Sequence, residues 1–237
     1  MIKEAINRIL ELGIPQILDV GSLTYSDKNL HRVATERCAD PLKTNTLKSI
    51  ADYLEKDMDS CKAEKNIIHI VDPYEVRLYH YLNHDRDREC VLTAKTDGSK
   101  FVFGQYYDVE NFIINLQANF VRTENVEKLL SFVSTVAADS GVSQEDDGCT
   151  QKVTVKKGIS LKGREAVPNP IALAPFRTFA DIAQPESNFV FRLREGMNGV
   201  EAALFGADGE AWKLEAIKNM EDYFHESVFD HEASVLA

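Results

Sequence analysis

The sequence contains no apolar run near the about 20 residues that a bilayer-spanning helix requires. It also lacks a C-x-x-C pair. The four cysteines stand at 38, 61, 90 and 149, a spacing that indicates neither a structural zinc site nor a dithiol redox motif. Glycines are scattered, so no loop gathers several backbone amides around a phosphate. The nearest approach is Gly206 and Gly209 in FGADGEAWKLEA. There Asp208 and Glu210 would repel an anion and suit the dipole of a following helix, so capping is the better reading. There is no G-x-S-x-G elbow and no recognisable Cys-His pairing for nucleophilic catalysis. Basic charge is in deficit, with 27 Lys and Arg against 38 Asp and Glu, a net charge of −11. That balance disfavours nucleic acid binding through phosphate neutralisation. The one candidate basic patch, Lys152, Lys156, Lys157, Lys162 and Arg164, reads better as the solvated face of a strand pair.

What is present has clear periodicity. In MIKEAINRILELG, Ile2, Ile6, Ile9 and Leu10 share one helical face, and both charge signs occur, unlike a secretory signal. This reading places the protein in the cytoplasm with reduced thiols. Residues 17–20 suggest a short strand, and Gly21 to Pro41 read as polar and irregular. A helix is expected from about Asn45 to Asp57, capped by Thr44 or Asn45, with Leu47, Ile50, Ala51, Leu54 and Met58 buried. The period then falls to two over Ile67–Val71, Val76–Leu82, Cys90–Lys95 and Lys100–Tyr106, with Asp97-Gly98 a hairpin signal between the last two. Asp108 should cap a helix carrying Phe112, Ile113, Leu116 and Phe120. Thr123 should start another, with Val126, Leu129, Leu130, Val133 and Val136 inward. Phe189, Phe191 and Leu193 alternate with polar neighbours, and Val200–Phe205 forms the hairpin partner. Ala211 to Phe224 is a helix, with Trp212 anchoring it and Phe189, Phe191 and Phe205 as further packing anchors. The pattern predicts an α+β fold: an antiparallel strand meander and hairpins with about five helices packed on them. The acidic loop SQEDDGC divides residues 1–142, a mixed α+β half, from residues 149–237, a β-rich half with a C-terminal helix, unless 1–237 is one domain.

Two stretches invite a metal reading. HYLNHDRDREC, residues 80–90, groups two histidines with several acids, but His80 falls on the aliphatic face of a strand while His84, Asp85, Asp87 and Glu89 fall in a charged tip. The i, i+4 histidine spacing forms a metal pair only on a helix, so a solvated hairpin tip is the better reading. SQEDDGC could offer Asp146 and Asp147 to a divalent cation, yet it lacks the EF-hand spacing, and an acidic turn is the simpler reading. No catalytic, cofactor-binding or metal-binding residue is assigned, and no cofactor is expected. VPNPIALAPF carries three prolines in a short span, which excludes a central strand and suggests an extended edge. Its residues Pro168, Asn169, Pro170, Pro175 and Phe176 form a candidate contact arm for a neighbouring copy.

The blocks EDDGCTQKVTVKKGI, LAPFRTFADIAQPESNFVFRLR and ALFGADGEAWKLEAI, together with FGQYYDVENFIINLQANF, resemble the YfdQ-like family of phage- and prophage-encoded proteins of undetermined function. The likeness is good over residues 100 to 224 and looser before them. In the LF-ADG-AW block this chain has Gly206 where similar proteins often carry an acid. The resemblance implies a phage or prophage origin and residence in the host cytoplasm, and it brings no catalytic residues with it. The resulting expectation is a non-enzymatic protein that self-assembles into a homo-oligomer, ring-like or shell-like at the extreme, or binds a host or phage protein, with no membrane partner. Two alternatives stand beside it. One is a phage accessory factor for host-defence evasion or DNA metabolism, and the other a metal-dependent hydrolase using Asp146, Asp147 and a histidine.

Overall fold

A computed structural model describes residues 2–21, 23–28, 39–63, 65–83, 86–138, 142–146, 151–155, 168–197, 199–228 and 233–237. The chain divides into two compact units, residues 1–39 and 40–237.

The first unit begins with helix α1 (Ile2–Gly13), followed by strands β1 (Ile17–Val20) and β2 (Leu23–Ser26). The strands pair antiparallel, Ile17 opposite Ser26 and Val20 opposite Leu23. A strand therefore lies within the stretch expected to be irregular. Gly21, with φ +66°, allows the tight reversal between the strands. Asp27 closes the hairpin base by accepting the Gln16 N–H at 2.7 Å.

The second unit holds two sheets. The first comprises β3 (Leu42–Thr44), β4 (Asn66–Asp72), β5 (Glu75–His80), β6 (Cys90–Lys95) and β13 (Ala233–Leu236), in the spatial order β13-β4-β5-β6-β3. Its centre is the expected antiparallel meander, whereas both edges are parallel: β13 on β4 and β3 on β6. Helices α2 (Lys48–Glu55) and α5 (Trp212–Ser227) supply the rest of its core. Leu47, Ile50 and Leu54 pack with Ile68, Val76 and Leu78, and with Met220 and Phe224 from α5. Met58 lies beyond the end of α2 and is 48% exposed, because the helix stops before it.

The second sheet takes β7 (Tyr107–Asp108), β10 (Ile171–Leu173), β11 (Ser187–Gly196) and β12 (Gly199–Gly206), in the order β10-β11-β12-β7. All its pairings are antiparallel, with Phe189 opposite Gly206 and Leu193 opposite Ala202. Helices α3 (Val109–Asn119) and α4 (Glu124–Ala138) cover it. Phe112 and Leu116 of α3, and Val126, Leu129, Val133 and Val136 of α4, meet Phe189, Phe191 and Leu193, so the helical stripes expected there are buried as a set. Each sheet draws strands from both sides of residues 143–148.

Four local expectations are corrected. Residues 96–106 form no strand, and Asp97-Gly98 turns no hairpin. Instead Phe101 is drawn into the second core, stacking edge-on with Phe112 at 6.2 Å and with Phe120 at 5.1 Å. Residues 143–146 belong to strand β8 (Val142–Asp146), paired antiparallel with β9 (Gln151–Val155). The first turn of α2 is capped from a distance, since Asp181 accepts the Leu47 N–H at 3.0 Å and the Lys48 N–H at 3.2 Å. Thr44 instead shares its hydroxyl with Ser49. Lastly, α5 has no side-chain cap; Asp208 accepts the Glu210 N–H in the preceding turn. At α3 the sequence reading holds, with Asp108 Oδ1 accepting the Asn111 N–H at 2.9 Å.

Candidate functional site

Two features stand out from an ordinary folded interior. The first is the apolar stripe of α1. No residue of α1 is buried and β1 is exposed throughout. Ile2 is 80% exposed, Ile9 67% and Leu10 65%. Lys3 and Arg8 are balanced by Glu4 and Glu11, with Arg8 and Glu11 paired at 3.0 Å. A helix this short is marginal in water unless a packed face supports it, and a lone hairpin has the same weakness. Among its described residues the first unit thus has secondary structure without a buried core.

The second feature is a cleft of about 750 Å³ within the second unit, built where the two sheets come together. One wall is the β4–β5 turn with the end of β6 and the loop after it. The opposite wall is Phe189 with residues 206–212, and Arg177 joins it from the segment leading out of β10. Two side chains tie this segment down. Thr178 donates its hydroxyl to the Pro73 carbonyl at 2.6 Å, and Phe179 is buried in the first core.

Arg177 organises the inner wall. It is 5% exposed, and its guanidinium carbon lies 4.0 Å from the centroid of the Trp212 ring. Nη2 donates to the Pro185 carbonyl at 3.2 Å and to the Ser187 hydroxyl, which in turn donates to Asp208. Ser187 thereby links the cation to its counter-charge. Tyr74 meets Trp212 edge-on at 6.0 Å. Burial disfavours the charged guanidinium and lowers its pKa to about 10, against the pull of Asp208. Among the described residues, Arg177 Nε is the buried side-chain polar atom left without a hydrogen-bond partner. Such a donor normally costs about 1–3 kcal/mol.

The outer wall is acidic. Glu75 binds Arg77 and Lys95, the latter at 3.3 Å. Burial pushes its carboxyl upward, but these two cations outweigh that and hold it below the usual carboxylate range. Asp72 accepts the Tyr74 N–H at 2.7 Å through Oδ1. Asp97 lies on the exposed loop with no hydrogen bond or ion pair among the described residues. Glu210 is paired with Lys213 at 2.7 Å.

The sequence-derived candidates lie elsewhere. Pro168 and Pro170 are exposed on either side of Asn169, whose Oδ1 accepts the Phe191 N–H at 3.0 Å. Phe176 is half-exposed, and Pro175 bridges to Phe120. Strand β10 is an edge strand, as its prolines predicted. Its outer side is occupied by the chain itself: Asn125 donates to the Ala172 carbonyl at 2.9 Å and the Val121 N–H to Ala174 at 2.8 Å. His80 donates its Nδ1–H to Asn66 Oδ1 at 3.0 Å, while His84 and Asp85 lie outside the described residues. Asp146 is in β8, and Asp147 and four of the five basic-patch residues also lie outside them. No group of three His, Cys, Asp or Glu side chains among the described residues is placed to hold a metal. No described helix is long and apolar enough to cross a membrane.

Trp212 is buried, as the spacing of its helix predicted, and it also faces the cleft. Asp97 entered sequence reasoning only as half of a turn signal, and Arg177 and Tyr74 escaped it. Their only mark was a lone arginine in the apolar stretch APFRTFADIA, and no spacing rule converts that into a site. Comparison with family models, curated proteins and solved structures returned no match.

Proposed function

We propose that this chain is a non-enzymatic, self-associating protein, and that α1 is the element through which one copy meets another. The observation that carries the reading is the exposed stripe of Ile2, Ile6, Ile9 and Leu10 on a unit none of whose described residues is buried. Burying such a stripe yields about 25 cal/mol per Å² of apolar surface removed from water. A second copy suits the charges on this helix. The rest of the chain carries the net −11, so copies repel over most of their surface. On α1 two cations and two anions cancel, so this helix adds nothing to that repulsion. The same neutrality argues against an anionic membrane surface, which selects a cationic polar face. The likeness to YfdQ-like proteins adds a phage or prophage setting in the host cytoplasm.

Light scattering on the purified chain tests this reading. A mass at a small multiple of 26.7 kDa is expected, falling to the single-chain mass in Ile6→Asp/Ile9→Asp. Unchanged Trp212 emission in that variant would show that the second unit still folds. A wild-type monomer at micromolar concentration, or an oligomer indifferent to the two substitutions, overturns it.

A further inference from the structure

The cleft between the two sheets is independent of self-association through α1. Its volume, about 750 Å³, lies in the range of small-molecule sites. Its walls combine the aromatic rings of Tyr74, Phe103, Phe189 and Trp212 with an excess of carboxylates. Five acids line it, Asp72, Glu75, Asp97, Asp208 and Glu210, against the two cations Lys95 and Arg177.

The internal pairings decide which charges a ligand meets. Lys95 is engaged by Glu75. Arg177 is no receptor for an anion: Nη2 is engaged by Pro185 and Ser187, one guanidinium face lies on Trp212, and Asp208 answers its charge through Ser187. An anion entering here would gain neither cation and would meet unpaired carboxylates. Asp97 and the free oxygen of Asp72 remain, on one rim of an aromatic-walled space. Carboxylates fix a positive head group, and ring faces attract cations and cover an apolar stem. The unpartnered Nε–H belongs to this same guanidinium, which is 5% exposed and whose charge Asp208 already answers through Ser187.

We propose that this cleft is a binding site for an organic cation, a protonated amine or guanidinium on an apolar stem. Such a group is carried by a free polyamine-type molecule or by an arginine or lysine side chain of a peptide.

Trp212 is the only tryptophan in the sequence, so indole emission from the full chain reports this site alone. Agmatine and an end-blocked Gly-Arg-Gly peptide serve as probes at matched ionic strength, with sodium phosphate as the anionic control. A saturable change with agmatine supports a free amine as the ligand, and one with the peptide alone supports a side chain of a partner. In Asp72→Asn/Asp97→Asn, which keeps the acceptor for the Tyr74 N–H, binding should weaken about tenfold or more. An unchanged circular dichroism spectrum confirms that this variant is folded. Saturation by phosphate, silence with both cationic probes, or cation binding unaltered in the double variant would each overturn the proposal.

Discussion

The Arg177 guanidinium carbon lies over the Trp212 ring, 4.0 Å from its centroid, and both residues are buried. The two residues come from separate parts of the chain, an irregular segment after β10 and the first turn of α5. Their contact joins the connecting segment to the helix, and Ser187 and Asp208 complete the joint.

Removing the guanidinium therefore disrupts more than a surface charge. Arg177→Ala should lower stability by about 2–4 kcal/mol, from the lost charged hydrogen bonds and the cation–π contact. For a chain of this length that corresponds to a melting temperature roughly 5–10 °C lower. Trp212 emission should move to longer wavelength as water reaches the ring. A thermal melt followed by indole fluorescence reads both effects. Unchanged values in both would show that the stack contributes nothing.

Glu75 sets an acid limit on the first sheet. Its carboxyl is held below the usual carboxylate range in the folded chain, so the unfolded chain takes up this proton more readily. The stabilisation is complete above the ordinary glutamate pKa and is lost as the pH falls through the lower folded value. Glu75→Gln should be less stable by about 1 kcal/mol at neutral pH, or roughly 2–4 °C in melting temperature. The gap should close on acidification. Parallel melting curves for both proteins at every pH would contradict the assignment.

Asp181 is predicted to matter through a helix far from it in sequence. Asp181→Ala leaves the Leu47 and Lys48 amides without an acceptor and should cost about 1 kcal/mol, with the loss concentrated in α2. Hydrogen exchange should quicken at residues 47–50 and not in α3, whose cap is Asp108. Uniform exchange rates across wild type and variant would refute a remote cap.

Much of the secondary structure was legible because periodicity is a property of neighbouring residues. Alternation across Phe189, Phe191 and Leu193 fixed the buried face of β11. Spacing at Val126, Leu129 and Val133 did the same for α4. In α5 Trp212 was legible as the anchor, whereas the burial of Ala216 and the 74% exposure of Leu214 depend on how the helix is rotated against the sheet. The cleft was not legible. Tyr74, Asp97, Arg177 and Trp212 share no local pattern, and the path of residues 96–106 follows the aromatic rings it buries instead of its turn signal.

The sequence by itself determined the α+β class, the central antiparallel meander, the β11–β12 hairpin, the Asp108 cap and the amphipathic α1. Each rests on side chains a few residues apart, whose relation the backbone geometry imposes before any folding of the whole. Tertiary structure alone decided the parallel edges β3 and β13, the cap that Asp181 lends to α2, and the stack of Arg177 on Trp212. Those contacts join segments from about 35 to more than 160 residues apart. They form only once two cores have closed the intervening loops, so no local pattern announces them.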